Sequence, residues 1–581
     1  MEKEATWYSP LFRQMTIWIG QMMLQQLHAQ SRHAQDVQRK TLREILKRAR
    51  NSEFGSAHHF EQILKESDVE AAYKATIPLS CYEDYSPYIE HIKQGRENVL
   101  FSDPLTGLAF TSGSTGHSKL VPVTRRHQGF AMRCGSFLTY ASADKYIPGS
   151  RPWRKGICLM SYAGTPEHTE AGVPMGMASA LGIRRIVGII PHLWCSPTPV
   201  FLLEDDQSAW YLHALYGLRN PEVQYIVATF TPHLLRWLTA LEERWAELVN
   251  DIEKGTLTAD LTLPAGLRES LTRDLYPDPS RAAALREAAA SGFGNIIRRI
   301  WPRIAYINVI ATGSFAVYVP MVRAYTGDLP LYSSFYSASE ATIGMALWPD
   351  HAEEYALMPQ AAYFEFIQLE EEDAITPKIV GIGELKPDSQ YELVLTNHAG
   401  LYRYRLGDII KMARYHNELP VFRFDHRRST ILNLAGEKMT EAHTRYALEQ
   451  WGRTWLQVPA DHIYDYTTAS NASVSPPRYT FYIEMTDKII PDDALATLNA
   501  GAQHLDEALK MVNHYYEHNR RHSLVSIPQI KLVSSGSFDL LYEQLLTRSP
   551  GINHTQLKIP RLLADPQLLE LMESRVVAVS S

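Results

Sequence analysis

From about residue 100 to residue 310, short β-prone runs alternate with longer stretches of helical spacing, and this alternation limits the fold more than any other feature. Parallel neighbours in a sheet need a crossover, usually a helix, so the pattern predicts an α/β domain with a largely parallel core sheet. The expected strands are Gly156–Met160, Arg185–Ile190, Val223–Ala228 and Ala305–Ile310. The clearest expected helices are Pro232–Ile252 and Pro279–Ala290. Ahead of this region, residues 9–50 carry Leu24, Leu27, Val37, Leu42, Ile45 and Leu46 at helical spacing. They read as packed core helices, with a membrane-surface helix around Ile17–Met23 as the alternative.

A denser strand set follows, with period-two runs beginning at Tyr363, Tyr391 and Tyr402, as in a meander or small barrel. After Pro420 the pattern becomes α+β: a helix near 440–452, a strand near 479–485 and a helix near 492–519. A boundary between Arg414 and Arg428 divides the chain into 1–424 and 425–581.

Composition excludes several classes. Apolar residues make up 45% and charged residues 21%, which rules out a mainly disordered chain. The net charge of −7 provides no bulk basic surface for nucleic acid. Cys81, Cys134, Cys158 and Cys195 show no CxxC pair, so they read as reduced, mostly buried thiols of a cytoplasmic protein. No apolar run approaches about 18 residues, and the N-terminus has no secretion-signal pattern, so no membrane association is expected.

Three motifs can carry chemistry. In LAFTSGSTGHSKLVPVT, Leu108–Thr124, an apolar strand enters a Ser/Thr/Gly turn closed by Lys119. Thr111, Ser112, Ser114 and Thr115 offer hydroxyls, Gly113 and Gly116 let backbone amides approach an anion, and Lys119 adds a compact positive charge. That composition describes a phosphate cradle. It departs from the GxxxxGK[ST] loop, because His117 follows Gly116, and from the GxSxG nucleophile elbow. In the second motif, Leu329–Leu347, Tyr336, Ser337, Ser339 and Glu340 end a strand. Tyr336 can stack on a base and Glu340 can ligate Mg²⁺, although a loop Glu is commonly just solvated. In the third, Gly400–Met412, Asp408 follows Gly407; a carboxylate there can accept both hydroxyls of a ribose, or simply occupy a β-turn. Arg133 can meet a substrate carboxylate or sit on a solvated helix face. His514, His518 and His522 recur at i, i+4, i+8, but Arg520 and Arg521 disfavour a cation there.

In order and spacing these motifs resemble the adenylate-forming superfamily of acyl-CoA synthetases, peptide-synthetase adenylation domains and luciferases. The flanking sequence is similar to one branch, the Gretchen Hagen three family of acyl-acid amido synthetases, in a bacterial-type form. The similarity includes RNSEFGSAHHF at Arg50, WPRIAYINVIATGSFAVYVPMVRAYTGDLPL at Trp301, MPQAAYFEF at Met358, GSFD at Gly536 and INHTQLKIPRLL at Ile552.

The resemblance implies a large N-terminal adenylate-forming domain with mixed sheets flanked by helices and a small β-barrel-like part, plus a smaller, mobile C-terminal α+β lid. It implies ATP and Mg²⁺ as cofactors. The substrates would be a small-molecule carboxylic acid and an amine, an amino acid foremost, and the protein would be monomeric. Ser112, Ser114 and Thr115 would hold phosphate, Tyr336 and Glu340 would contact adenine and Mg²⁺, Tyr363 would line the nucleotide site, and Asp408 would bind ribose. Arg427 and Lys438 would belong to the hinge and the lid, and Lys558 would reach the α-phosphate. Thr169, in TEAGVP, would border the acyl and amine pocket, and Thr312 and Gly313 would border the acyl site. The phosphate loop is one residue shorter than the usual plant form, and LAGEKMTE stands where plant members carry an Asp-Lys pattern. The expected activity is acid adenylation followed by amide formation. The alternatives are coenzyme A or a carrier-protein thiol as acceptor, or a nucleotide-binding protein without turnover.

Overall fold

The computed structural model describes residues 9–111, 119–151, 154–160, 167–176, 181, 188, 190–348, 351, 353–369, 378–428, 432, 434–435, 437, 439–456, 462–471, 474–486, 498–548, 557–563 and 565–580. The chain divides into two compact units. One runs to Phe424 without Ala311–Met321, and the other gathers Ala311–Met321 together with Asp425–Ser581.

In the first unit, the alternating region builds a parallel sheet of Ile157–Cys158, Tyr225–Phe230, Tyr306–Ile310 and Leu331–Tyr332, in that spatial order. Sequential order with parallel pairing is what crossover helices require. The helix expected over Pro232–Ile252 is two helices, Thr231–Glu243 and Trp245–Lys254. Arg244 separates them, and its guanidinium donates to Glu247 and Asp260 and lies 4.3 Å from the centre of the Tyr211 ring. Its backbone follows these side-chain partners out of helical geometry. The Arg185–Ile190 strand falls almost wholly outside the described residues, and Ile190 itself opens a short helix, Ile190–Leu193.

The strands read as a meander or small barrel join an eight-stranded sheet. Its order is Ile379–Val380, Ala362–Gln368, Gln390–Asn397, Tyr404–His416, Leu419–Arg427, Tyr355–Leu357, Thr342–Met345 and Phe335–Ser337. Among the described residues the order is open, with edges at Ile379–Val380 and Phe335–Ser337, as in the meander that was one of the two readings. A third sheet sets Lys119–Thr124 and Leu105–Thr111 beside Pro174–Gly176 and Glu167–His168.

The N-terminal segment forms Ser9–Gln30 and Ala34–Ala49, joined by a 3₁₀ turn at Ser31–His33. Ile17, Leu24, Leu27, Leu42, Ile45 and Leu46 are buried, while Trp18 and Met22 are exposed, so the first helix packs one face and leaves apolar side chains on the other. No helix among the described residues is long and apolar enough to cross a membrane. The four cysteines are free, and Cys81 is exposed.

Arg403 ties the N-terminal helices to the central sheet. Its guanidinium grips the Glu365 carboxylate through two bonds of 3.0 Å and donates to the Lys74 and Ile77 carbonyls. Both partners are almost fully buried.

The second unit has its own core, built on Trp451, Tyr466, Tyr479, Phe481, Leu505, Leu509 and Tyr516. Its sheet runs Ile463–Asn471, Arg478–Met485, Gln529–Val533 and Val576–Val579, with Gln529–Val533 parallel to Arg478–Met485 and the other pairs antiparallel. The helix expected near 492–519 is Leu498–Val512 followed by His514–Arg521, with Asn513 capping the second by accepting from the Tyr516 amide.

Removing one member of a buried ion pair leaves the other charge desolvated and unpaired. Glu365→Ala is therefore expected to cost about 3–5 kcal/mol, read as a drop in the urea midpoint of the first unfolding transition. An unchanged midpoint would show that Arg403 is held by its carbonyl partners alone.

Candidate active site

Asp408 owes its position to an irregularity in its strand. Between Gln390–Asn397 and Tyr404–His416 the register runs Glu392↔Ile409 and then Val394↔Arg405, so Leu406, Gly407 and Asp408 share one residue's place. A bulge of this kind bends the strand and re-aims a side chain. Gly407 makes it with φ 78°, a left-handed angle that glycine adopts without strain. Asp408, 1% exposed, is thereby turned to accept the hydroxyl of Tyr336.

Tyr336 comes from the edge hairpin Phe335–Met345. Its ring packs with Phe424, Tyr355 and Phe422 at centroid distances of 5.5, 5.8 and 6.0 Å. Gly344 makes room for this packing, since a Cβ there would stand 2.7 Å from the Tyr355 Cβ and 3.1 Å from Phe422. The two residues picked independently as base and ribose contacts, 72 positions apart, are thus in direct contact.

Glu340 is buried in the turn of the same hairpin. Asn397 anchors that turn by donating to the Glu340 carbonyl at 2.8 Å, and its own side-chain oxygen accepts from the Ala399 and Leu401 amides. Sequence reasoning did not single out Asn397. Its only signal was an Asn at a strand end before Gly400, a combination that favours a turn. Ser337 donates to the Ala338 and Ala341 carbonyls inside the turn, and Ser339 is half-buried beside it.

Of the loop expected to cradle phosphate, Thr111 pairs with Lys119 at the open end of a hairpin. Ser112, Gly113, Ser114 and Thr115 lie outside the described residues, as does Lys438. The Lys119 ammonium sits 5.0 Å from the centre of the Tyr82 ring and 3.9 Å from the Glu83 carboxylate.

Other expected site residues carry visible structural work. Tyr363 is 2% exposed and donates to the Glu70 carboxylate at 2.6 Å. Burial and the neighbouring Glu365 and Glu70 push its phenol far above the usual range. Its hydroxyl is thus held by Glu70, at the part-exposed end of an otherwise buried side chain. Thr169 closes the turn between Glu167–His168 and Pro174–Gly176, its hydroxyl accepting from the Val173 amide. Arg133 lies exposed at the end of the Arg125–Arg133 helix, its guanidinium 6.0 Å from the Phe130 ring centre, on the solvated face that was its plainer reading. His514 stands 3.5 Å from Glu517, while the His518 and His522 rings pack together at 4.2 Å.

The second unit holds the remaining residues. Thr312 precedes the 3₁₀ helix Gly313–Tyr318, and its carbonyl accepts from the Phe315 amide. Lys558 is exposed, with its ammonium 4.9 Å from the centre of the Phe315 ring. Arg427 is the last residue of the strand Leu419–Arg427, next to the His426–Asp425 pair at 2.7 Å. In the GEKMTE segment, Glu437 is buried and accepts from the Leu434 and Ala435 amides, Asn519 and the Tyr479 hydroxyl.

Models of the GH3 family N-terminal, central and C-terminal domains match residues 23–331, 355–427 and 447–567. The chain belongs to the GH3 family. The indole-3-acetic acid-amido synthetase GH3.8 of Oryza sativa subsp. indica is 31% identical to it over 527 residues, covering 87% of this chain and 85% of that one. The jasmonoyl-L-amino acid synthetase GH3.5 of Oryza sativa subsp. japonica is 30% identical over 594 residues, covering 97% and 98%. The solved structure of GH3.15 acyl acid amido synthetase superposes with a TM-score of 0.83 at 25% identity, covering 96% of this chain and 97% of that one. The relatives named here are plant proteins, and the expectation of a bacterial-type GH3 member is not borne out.

Hydrogen bonds to a charged partner contribute about 1.5–3 kcal/mol, so Asp408→Asn is expected to weaken binding of a non-hydrolysable ATP analogue about 10- to 100-fold by calorimetry. Tyr336→Phe keeps the ring and removes only the hydroxyl that Asp408 accepts, so it should weaken binding only a few-fold. Unchanged affinity in Asp408→Asn would remove Asp408 from the nucleotide site.

Proposed function

We infer that this protein is an ATP-dependent acyl-acid amido synthetase, joining a carboxylic acid to an amino acid through an acyl-adenylate. The observation that carries the reading is the match to GH3 amido synthetases from end to end, in sequence and in fold. A carboxylate does not react with an amine in water until it is activated. A carboxylate oxygen therefore attacks the α-phosphorus of ATP and pyrophosphate leaves. The amine nitrogen then attacks the acyl carbon, the bond to the phosphate oxygen breaks, AMP departs, and the amine gives up a proton to form the amide.

Within this reading, Asp408 receives the ribose hydroxyls and the Tyr336 ring offers its face to adenine. Thr111, Ser112, Gly113, Ser114, Thr115 and Lys119 cradle the phosphates. Among the described residues no group of three His, Cys, Asp or Glu side chains could hold a metal. A single buried carboxylate, Glu340, fits a Mg²⁺ ion that takes its other ligands from phosphate oxygens and water. That ion would neutralise charge on the triphosphate. Lys558 supplies positive charge to the α-phosphate as it becomes five-coordinate. The two half-reactions need different surroundings, so Asp425–Ser581 acts as a lid turning at Asp425–Arg428, with Arg427 in the hinge and Lys438 in the lid. Thr312 and Gly313 border the acyl group. The protein works as a monomer in the cytoplasm.

The test is carboxylate-dependent exchange of labelled pyrophosphate into ATP over a panel of aryl, indolyl, fatty and amino acids, followed by AMP release with amino acids or coenzyme A. Exchange with at least one acid, and AMP release driven by an amino acid, are expected. Release driven by coenzyme A alone would replace the amine by a thiol, and ATP binding without exchange would leave a binding protein. Lys558→Ala should slow exchange roughly 100-fold while sparing amide formation from preformed acyl-adenylate. Equal loss in both steps would refute that role for Lys558.

A further inference from the structure

Lys558 is exposed, and its reach depends on where its backbone is held. Three residues downstream, Arg561 is almost fully buried. Its guanidinium donates to the Asp465 carboxylate and to the Tyr466 carbonyl, stands 3.6 Å from Glu441, and packs 4.6 Å from the centre of the Tyr466 ring. Burial opposes its charge, but Asp465 and the neighbours behind it outweigh that cost and hold the guanidinium well above its ordinary pKa. The backbone around it is fastened along the strand Ile463–Asn471. The Thr467 hydroxyl donates to the Pro560 carbonyl at 2.6 Å, the Thr468 amide donates to the Arg561 carbonyl at 2.9 Å, and the Leu563 amide donates to the Thr468 carbonyl at 2.9 Å. Three extended residues span at most about 10 Å, so the lysine backbone stays within that distance of a fixed point.

The same carboxylate also holds what faces the lysine. Asp465 accepts Arg561 and the Tyr466 amide on one oxygen and the Tyr318 hydroxyl on the other. Tyr318 closes the short helix Gly313–Tyr318, whose Phe315 ring receives the Lys558 ammonium at 4.9 Å. A cation above an aromatic face is attracted by the ring quadrupole. Segments 465, 318 and 561 are far apart in the chain, and one 2%-exposed carboxylate joins all three.

We propose that Asp465 is a positioning residue for Lys558: through Arg561 it fixes the backbone that carries the lysine, and through Tyr318 it fixes the helix whose Phe315 ring receives the ammonium. The proposal rests on the reading that Lys558 serves adenylation. It assigns Asp465, Arg561 and Tyr318 to the first half-reaction without contact with substrate.

The test compares Tyr318→Phe, Thr467→Val and Asp465→Asn in the full chain, each alone and combined with Lys558→Ala. Pyrophosphate exchange and amide formation from chemically prepared acyl-adenylate are measured for each. Tyr318→Phe and Thr467→Val are mild changes that keep the Asp465–Arg561 pair, so they preserve the test if Asp465→Asn fails to fold. Displacing a catalytic group by about 1 Å costs up to 100-fold, and the partial loosening here is expected to slow exchange roughly 5- to 10-fold. Amide formation should change less than about twofold, and exchange should fall no further when either variant is added to Lys558→Ala. Equal losses in both half-reactions, or losses that add to that of Lys558→Ala, would overturn the positioning role. If Lys558→Ala itself leaves exchange intact, Asp465 has no lysine to position and the proposal falls with that assignment. Absence of exchange in the wild-type chain would instead overturn the proposed function.

Discussion

The Arg403 guanidinium, buried against Glu365, is the interaction on which the first unit and its candidate site depend. From the bend just before the strand Tyr404–His416 it reaches Glu365 on Ala362–Gln368, across the intervening strand Gln390–Asn397, and the carbonyls of Lys74 and Ile77 at the end of an N-terminal helix. Arg403 itself adopts a left-handed φ of 49°, a conformation that its side-chain and backbone bonds overdetermine. Its amide donates to the Thr396 hydroxyl, its carbonyl accepts from Ser80, and Ser80 in turn accepts from Arg405. Five residues later comes Asp408. The bulge at Gly407 can aim that carboxylate only because the strand entering it is held from both sides.

The second unit uses the same device twice. Buried carboxylates cost several kcal/mol to desolvate unless every oxygen finds a donor, so when they occur they define their surroundings closely. Glu437 gathers two loop amides, Asn519 and Tyr479. Asp465 gathers Arg561, Tyr318 and the Tyr466 amide. In both cases the buried carboxylate joins segments that lie far apart in the chain.

Much of this was legible in the chain. Period-two runs located the strands Ala362–Gln368, Gln390–Asn397 and Tyr404–His416, because alternation reflects one face meeting the core. Pro279–Ala289 was readable from its proline start and helical spacing. Tyr336 and Asp408 were chosen on residue chemistry alone and lie in contact. The misreadings have physical causes. Nothing local breaks the helix at Arg244 until Glu247, Asp260 and Tyr211 compete for its side chain. The Tyr363 hydroxyl is held by Glu70, a residue 293 positions away, a contact that no local pattern announces. Asn397 escaped notice because its role is visible only once the Glu340 turn lies against it.

The sequence by itself determined the α/β and α+β character of the two regions and the family, since hydrophobic period and residue chemistry are local properties. The tertiary structure decided which distant residues share a carboxylate. It brought Tyr336 to Asp408, set Glu365 under Arg403 and carried Ala311–Met321 to Asp425–Ser581, where Tyr318 and Arg561 meet on Asp465. Those pairings follow from the demand that each buried charge be matched, and that demand is met in space, by partners whose separation along the chain leaves no local trace.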